Sequence, residues 1–318
     1  NTKIKRHKKE IMFTVQTEWD CPDSFPDLSG EKYIAIDLET KDPDLKSKGS
    51  GAIQGHGEIV GIAVAVEGWR GYYPIAHNGG NLDKTKVIRW FKTVAKLDCD
   101  KVFHNASYDL GWLKSLGITV NGKIHDTMIS SALLDENRYS YTLNSLAKDK
   151  LGRTKNEDLL IAAAKEFGVD PKKEMYKLPS MHVGEYAEYD ARLTYDLYLL
   201  NKEQIDKQEL QDIYDLETRL QPCLIDMRMQ GVRVDLEQAD IAKKELSAKE
   251  KQLMAEIKKI CGLDVEIWAA ASIAKAFDKQ KIPYDRTDKG APSFTKNFLA
   301  THPAELPKLI NEAREINK

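Results

Sequence analysis

Cysteine is scarce. The 318-residue sequence has four, Cys21, Cys99, Cys223 and Cys261, far apart and without a CxxC pair or a histidine at zinc-finger spacing. This excludes a disulfide scaffold and a structural zinc module, and leaves free, reduced thiols as the expectation. Long apolar runs are also missing: none approaches the ~20 residues that span a bilayer. The basic start is followed only by the short apolar stretch Ile11–Val15, which turns polar before a signal-peptide core can form. No membrane partner and a cytoplasmic location are therefore expected. There is no internal repeat and no low-complexity segment. Charge of one sign is not in excess either, since 48 Lys and Arg face 50 Asp and Glu for a net charge of −2. That balance gives no hint of nucleic acid, yet argues against it only weakly, because phosphate binding needs just a local basic surface. The chain lacks an initial Met, which is read as a processed or excised piece of something longer.

What is present is a chain with 42% apolar and 31% charged residues, the composition of a globular protein with a substantial core. Residues 1–30 form a polar lead-in whose basic stretch, Lys3–Lys9, reads as a solvated terminus. Lys32–Leu38, Glu58–Val66 and Gly71–Ile75 read as three successive strands, and Lys84–Ala95 as an amphipathic helix. Lys101–His104 reads as a fourth strand, followed by a helix around Ser107–Leu116. Ile124–Asp126 reads as a short fifth strand before helical Thr127–Leu134. Helical stretches follow at Thr142–Leu151, Glu157–Phe167 and Gly184–Asn201, then a long helical pattern to Met229, a charged helix over Leu236–Ile260 and shorter helices to the end. The chain divides near residue 205 into an α/β domain (31–205) and a purely helical region (206–318).

Three acidic motifs stand out. Asp37 and Glu39 flank Leu38 at the end of the first strand, so both carboxylates leave the same side of that strand. Their mutual repulsion would be relieved by a hard divalent cation, although a lone DxE is more often a solvated strand end. Asp109 falls in the first turns of the helix after His104-Asn105, where Asn105 is placed to cap; its ordinary role would be a favourable charge at a helix N-terminus. Tyr186 and Asp190 are four apart on a late helix and therefore share a face.

In this order and setting, Asp37-Leu-Glu-Thr40, His104-Asn-Ala-Ser-Tyr-Asp-Leu110 and Tyr186-Ala-Glu-Tyr-Asp-Ala191 resemble the motifs of the DEDD exonuclease superfamily, and more closely the proofreading domain of family A DNA polymerases. Ile124–Met128 and Thr142–Ala147 resemble the linking segments of that family, and Met175–Ala191 looks like its bacteriophage members. The resemblance implies a ribonuclease-H-like mixed five-stranded sheet flanked by helices, and for a bacteriophage protein the host cytoplasm. A histidine-type member has His five residues before the last Asp; that position is Glu185 here, His182 is too early, and Tyr186 marks the tyrosine type. Leu216–Asp235 and residues 265–316, including Asp285–Phe294, resemble the start of the polymerase thumb.

The resemblance implies two divalent cations, Mg²⁺ or Mn²⁺, with Asp37 bridging, Glu39 and Asp190 completing one site and Asp109 holding the other. Tyr186 would orient the attacking water, being too weak an acid to serve as a base. The implied substrate is a DNA 3′ end, single-stranded or a frayed primer terminus, shortened one nucleoside monophosphate at a time. Tyr108 is expected to stack on terminal nucleotides. Asn105 either reaches the sugar–phosphate backbone or only caps its helix. Leu38 and Thr40 are candidate substrate contacts, with core packing the favoured role for Leu38 and a structural role favoured for Thr40 and His104. Polymerase palm and finger motifs are absent from this chain, so the expected partner is a polymerase part on a separate or longer chain. The competing expectations are a ribonuclease-D-like RNA exonuclease and an inactive DNA-end-binding or assembly module; an unrelated metal phosphotransferase would not explain the other motifs.

Overall fold

The computed structural model describes residues 15–155 and 157–318; the basic stretch Lys3–Lys9 lies outside the described residues. The elements follow as β1 (Tyr33–Lys41), α1 (Leu45–Lys48), α2 (Gly51–Gln54), β2 (Glu58–Val66), β3 (Trp69–Pro74), α3 (Lys84–Lys96), β4 (Asp100–Phe103), α4 (Ala106–Ser115), β5 (Ile124–Asp126) and α5 (Thr127–Leu134). Then come α6 (Leu143–Leu146), a π-helical turn (Ala147–Leu151), α7 (Asp158–Phe167), α8 (Gly184–Lys207) and α9 (Gln211–Gln230). The sheet order is β3-β2-β1-β4-β5, antiparallel from β3 to β1 and parallel from β1 to β5. This is the mixed five-stranded α/β sheet expected from the sequence.

Strand alternation sorts the side chains of the two central strands by size. Ile34, Ile36 and Leu38 of β1, with Ile62, Val64 and Val66 of β2, enter one core beside Val87, Phe91, Trp112 and Leu113. The other face carries Ala35, Ala63 and Ala65, packed with Ala187, Ala191 and Tyr198. Small residues on both partners let the 24-residue helix α8 lie close across β1, β2 and β3. Continuing the same alternation, Asp37 and Glu39 fall on the α8 face.

Gly61 pairs with Glu39 across the β1–β2 ladder, next to a register shift between Glu39 and Thr40. A β-carbon at Gly61 would lie 2.0 Å from Tyr72 Oη, and the Tyr72 ring is fully buried with its hydroxyl 2.5 Å from His77 Nε2. The glycine is therefore fixed by its neighbour rather than by backbone conformation.

Compactness separates a first unit ending at Gly231 from a second beginning at Val232. The compact unit runs past the expected domain division near residue 205, because α9 packs on α4, α5 and β5. Tyr214 shares a 3.1 Å hydrogen bond with buried His125 Nδ1, Lys123 pairs with Asp215, and Ile225 joins the core. The described part of the lead-in is likewise strapped to this unit. Trp19 covers Gly184 and donates to Glu188 Oε1 at 2.9 Å, Trp90 donates to the Pro26 carbonyl at 3.0 Å, and Leu28 is buried.

The second unit contains α10 (Leu236–Cys261), α11 (Ala270–Gln280), the two-residue strands β6 (Asp285–Arg286) and β7 (Pro292–Ser293), α12 (Lys296–Thr301) and α13 (Glu305–Asn317). It is thus not purely helical: the polar loop closes as a small hairpin. Its own core is built from Leu253, Ile257, Phe277, Phe294, Leu299 and Ile310. Arg314 knits it by donating to the Ile267 and Phe294 carbonyls at 2.6 and 2.9 Å. All four cysteines are free.

Gly61→Ala is expected to destabilise the first unit by about 2 kcal/mol, because the Tyr72 ring has no space into which to retreat. Chemical denaturation checks this; an unchanged midpoint would contradict the packing described.

Candidate active site

Three elements deliver the acidic residues to one corner of the sheet. Pairing of β1 with β4 ends at Ala35 and Val102, so Asp37 and Glu39 extend past the last β4 partner. Asp109 comes from α4, is 4% exposed, and accepts the Leu38 backbone N–H at 3.1 Å. Asp190 comes from α8 and is 5% exposed. Asp37 feels the charge of Asp190, Glu39 feels both, and Asp109 feels Asp37. The four acids of the sequence motifs therefore meet in one electrostatic cluster.

Burial dominates their protonation. Asp37 and Glu39 retain some solvent contact, yet desolvation followed by the charge of Asp190 pushes Asp37 up to about 7. Glu39 and Asp109 are raised well above the usual carboxylate range, first by burial and then by their acidic neighbours. Asp190 is raised by burial and drawn back by Lys155. Tyr186, on the same face of α8 one turn before Asp190, has its hydroxyl driven far above its ordinary value by burial and then by Asp190, Glu39 and Asp37. It is neutral at any physiological pH, a hydrogen-bond donor and not a base.

Lys155 was not singled out from the sequence. Its ammonium forms an ion pair with Asp190 Oδ2, lies 3.4 Å from Tyr186 Oη and sits 5.0 Å from the centre of that ring. The loop that carries it follows the π-helical turn, where the sequence predicted one continuous helix. Asp190 Oδ1 is buried, with no hydrogen-bond partner among the described residues. Among the described residues, no group of three or more His, Cys, Asp or Glu side chains is drawn together as ion ligands are; the Lys155 ammonium is paired with Asp190 instead. The donor set nonetheless suits a hard divalent cation: four carboxylates, one orphaned oxygen and a single lysine to balance them.

The remaining expected site residues divide. Leu38 has its side chain in the core, so only its backbone N–H is available to the site. Thr40 Oγ1 and Tyr108 Oη share a 2.7 Å hydrogen bond, and Tyr108 also donates to Asp42 Oδ2 at 3.1 Å. Tyr108 packs edge-on against Trp112 and lines a cavity of about 490 Å³ with Thr40, Lys46, Lys172 and Lys173. Asn105 does not cap α4 as expected. It adopts a left-handed conformation, φ 69°, with no capping bond from its side chain. Asp126 takes that role, accepting from Asn105 N at 3.0 Å, Ala106 N at 2.8 Å and Met128 N at 2.8 Å. This leaves the Asn105 side chain exposed, its Oδ1 accepting from Ser107 Oγ at 3.4 Å. His104 is held neutral by burial, at about 4, and bonds Thr127 Oγ1 at 2.8 Å, a structural role.

Residues 12–204 match the 3′-5′ exonuclease family of the family A DNA polymerases. The chain is 36% identical to a DNA-directed DNA polymerase of Pseudomonas phage M6 over 97% of its length and 48% of that protein. It is 30% identical to the DNA polymerase DpoZ of Acinetobacter phage SH-Ab 15497 over 68% of this chain and 38% of that one. Against DNA polymerase I of Pseudomonas aeruginosa the identity is 29%, over 92% of this chain and 32% of the relative. The chain thus spans about half or less of these relatives. Among solved structures it superposes on the POL domain of Pol1 from M. smegmatis, in complex with DNA primer-template and dNTP, with TM-score 0.56, 14% identity, and 91% and 45% coverage. These comparisons and the site define a ribonuclease-H-like nuclease fold. The chain belongs to the 3′-5′ exonuclease family of family A DNA polymerases, of the bacteriophage kind.

A carboxyl raised on folding keeps a proton that the unfolded chain has lost. For Asp37, metal-free stability therefore falls as pH rises from 3.8 to about 7 and is flat above. In chelator-treated protein, Asp37→Asn is expected to flatten the decline in melting temperature across this window. Parallel curves for the two proteins would contradict the assignment.

Proposed function

We propose that residues 31–205 form a 3′-5′ exonuclease that removes nucleoside monophosphates from DNA 3′ ends, and that residues 206–318 correspond to the start of a polymerase thumb. The observation that carries the reading is the convergence of Asp37, Glu39, Asp109 and Asp190, from three separate elements, beside a neutral tyrosine. Asp37, Glu39 and Asp190 would hold one divalent cation, and Asp109 with Asp37 a second. Mg²⁺ or Mn²⁺ bound there supplies Lewis-acid stabilisation of the charge that builds at the scissile phosphate.

The chain's own groups do the rest. The Tyr186 hydroxyl, kept protonated, donates a hydrogen bond that orients the attacking water. Asp126 pins the start of α4 and so fixes the position of Asp109. Asn105, freed from capping, reaches toward the sugar–phosphate backbone. The cavity lined by Tyr108, Lys46, Lys172 and Lys173, and also by Asp42 and Asp170, offers the strand an aromatic wall and lysines for its phosphates. A partner carrying the polymerase part, on the same longer chain or a separate one, accords with the partial coverage of the polymerase relatives. Those relatives also favour DNA over the RNA-directed alternative. Among the described residues no helix is long and apolar enough to cross a membrane.

A 5′-labelled single-stranded DNA oligonucleotide with Mg²⁺ or Mn²⁺ is expected to give a ladder shortening from its 3′ end. EDTA and Asp37→Ala should each abolish it, and Tyr186→Phe should slow it by about 10²-fold. An intact oligonucleotide under both metals would favour an inactive end-binding module, and preference for an RNA oligonucleotide would favour the ribonuclease-D-like reading.

A further inference from the structure

We propose that the Lys155 ammonium is a resident counter-cation of the carboxylate cluster, which a divalent ion must displace from Asp190 in order to bind. The inference rests on the reading of this cluster as an ion site and concerns what occupies it beforehand.

Lys155 is an unusual place for a lysine charge. Its side chain is 10% exposed and that of Asp190 is 7%, so the pair is largely removed from water, where an unpaired carboxylate is costly. The Lys155 ammonium engages one oxygen of Asp190, and the other has no partner among the described residues. The ring and hydroxyl of Tyr186 hold the ammonium from the other side.

The geometry also says how Lys155 would leave. The Lys155 N–H donates to Asn144 Oδ1 at 3.3 Å, and neighbouring Arg153 is paired with Asp196. The freedom lies in the side chain. A cavity of about 160 Å³, lined by Arg70, Thr154, Lys155, Glu185, Tyr186 and Tyr189, adjoins it and offers the Glu185 carboxylate as a second partner. Rotation about the lysine stem moves the charge from the acids to this cavity without moving the loop. Competition of this kind lowers the apparent affinity of the incoming ion, because part of its binding energy is spent on breaking the ion pair.

The test uses the full chain with Mn²⁺ alone as the probe. Free Mn²⁺, followed by electron paramagnetic resonance, should show Lys155→Met binding the ion about tenfold more tightly than wild type, and Lys155→Arg close to wild type. In thermal melts, Lys155→Met should be less stable than wild type in chelator and should gain more from Mn²⁺. A merely structural lysine would lower both melts alike and leave Mn²⁺ affinity unchanged, which would overturn the proposal. A second measurement needs no variant: amine-directed labelling of wild type, read by mass spectrometry, should modify Lys155 faster with Mn²⁺ than in chelator, and equal or slower labelling would overturn it. If Mn²⁺ binding is lost in Asp37→Asn but indifferent to Lys155→Met, the ion site stands and this inference falls. If wild type binds no Mn²⁺, both fall.

Discussion

Four carboxylates held in one corner of a sheet, largely out of water, repel one another, and the surrounding structure is arranged to keep them there. A chain free to relax would splay them into solvent. Here Asp37 and Glu39 are fixed by a central strand paired along β2, Asp109 by a helix whose first turn is anchored on Asp126, and Asp190 by a helix pressed onto four strands. Because the elements are rigid, the acids cannot move apart, so protons or a cation must relieve the crowding. Burial first, and for Asp37, Glu39 and Asp109 a neighbouring acid second, raises each of these carboxyls, and a cation in their midst would draw them down.

The rest of the first unit follows from bringing α8 close enough. Alanines on the sheet and on the helix reduce the separation, while the opposite face of the same strands carries the bulky aliphatic core. Gly61 gives Tyr72 space beneath Glu39, and Trp19 closes over Gly184. The residues that make the site are thus few, and many others serve to hold two backbones near each other.

Much of this was legible in the sequence, for identifiable reasons. Strand alternation placed Asp37 and Glu39 on one side without any structure, and the helical period placed Tyr186 over Asp190. β2, β5 and α5 have the bounds that their apolar patterns predicted. What could not be read was tertiary. Lys155 lies in a polar stretch, Arg-Thr-Lys-Asn-Glu, with no periodicity to mark it, and only the fold brings it to Asp190. Asp126 competes with Asn105 for the same cap and wins because β5 runs beside β4. The later unit boundary and the small hairpin of the second unit likewise depend on packing between segments distant in sequence.

The account stands on the four acids acting as one receptor for divalent cations. Anomalous diffraction from crystals soaked in Mn²⁺ examines this directly. The strongest peaks should lie among Asp37, Glu39, Asp109 and Asp190, with the Lys155 ammonium moved away from Asp190. Ordered Mn²⁺ at other sites, with this cluster vacant and the lysine still in place, would contradict it.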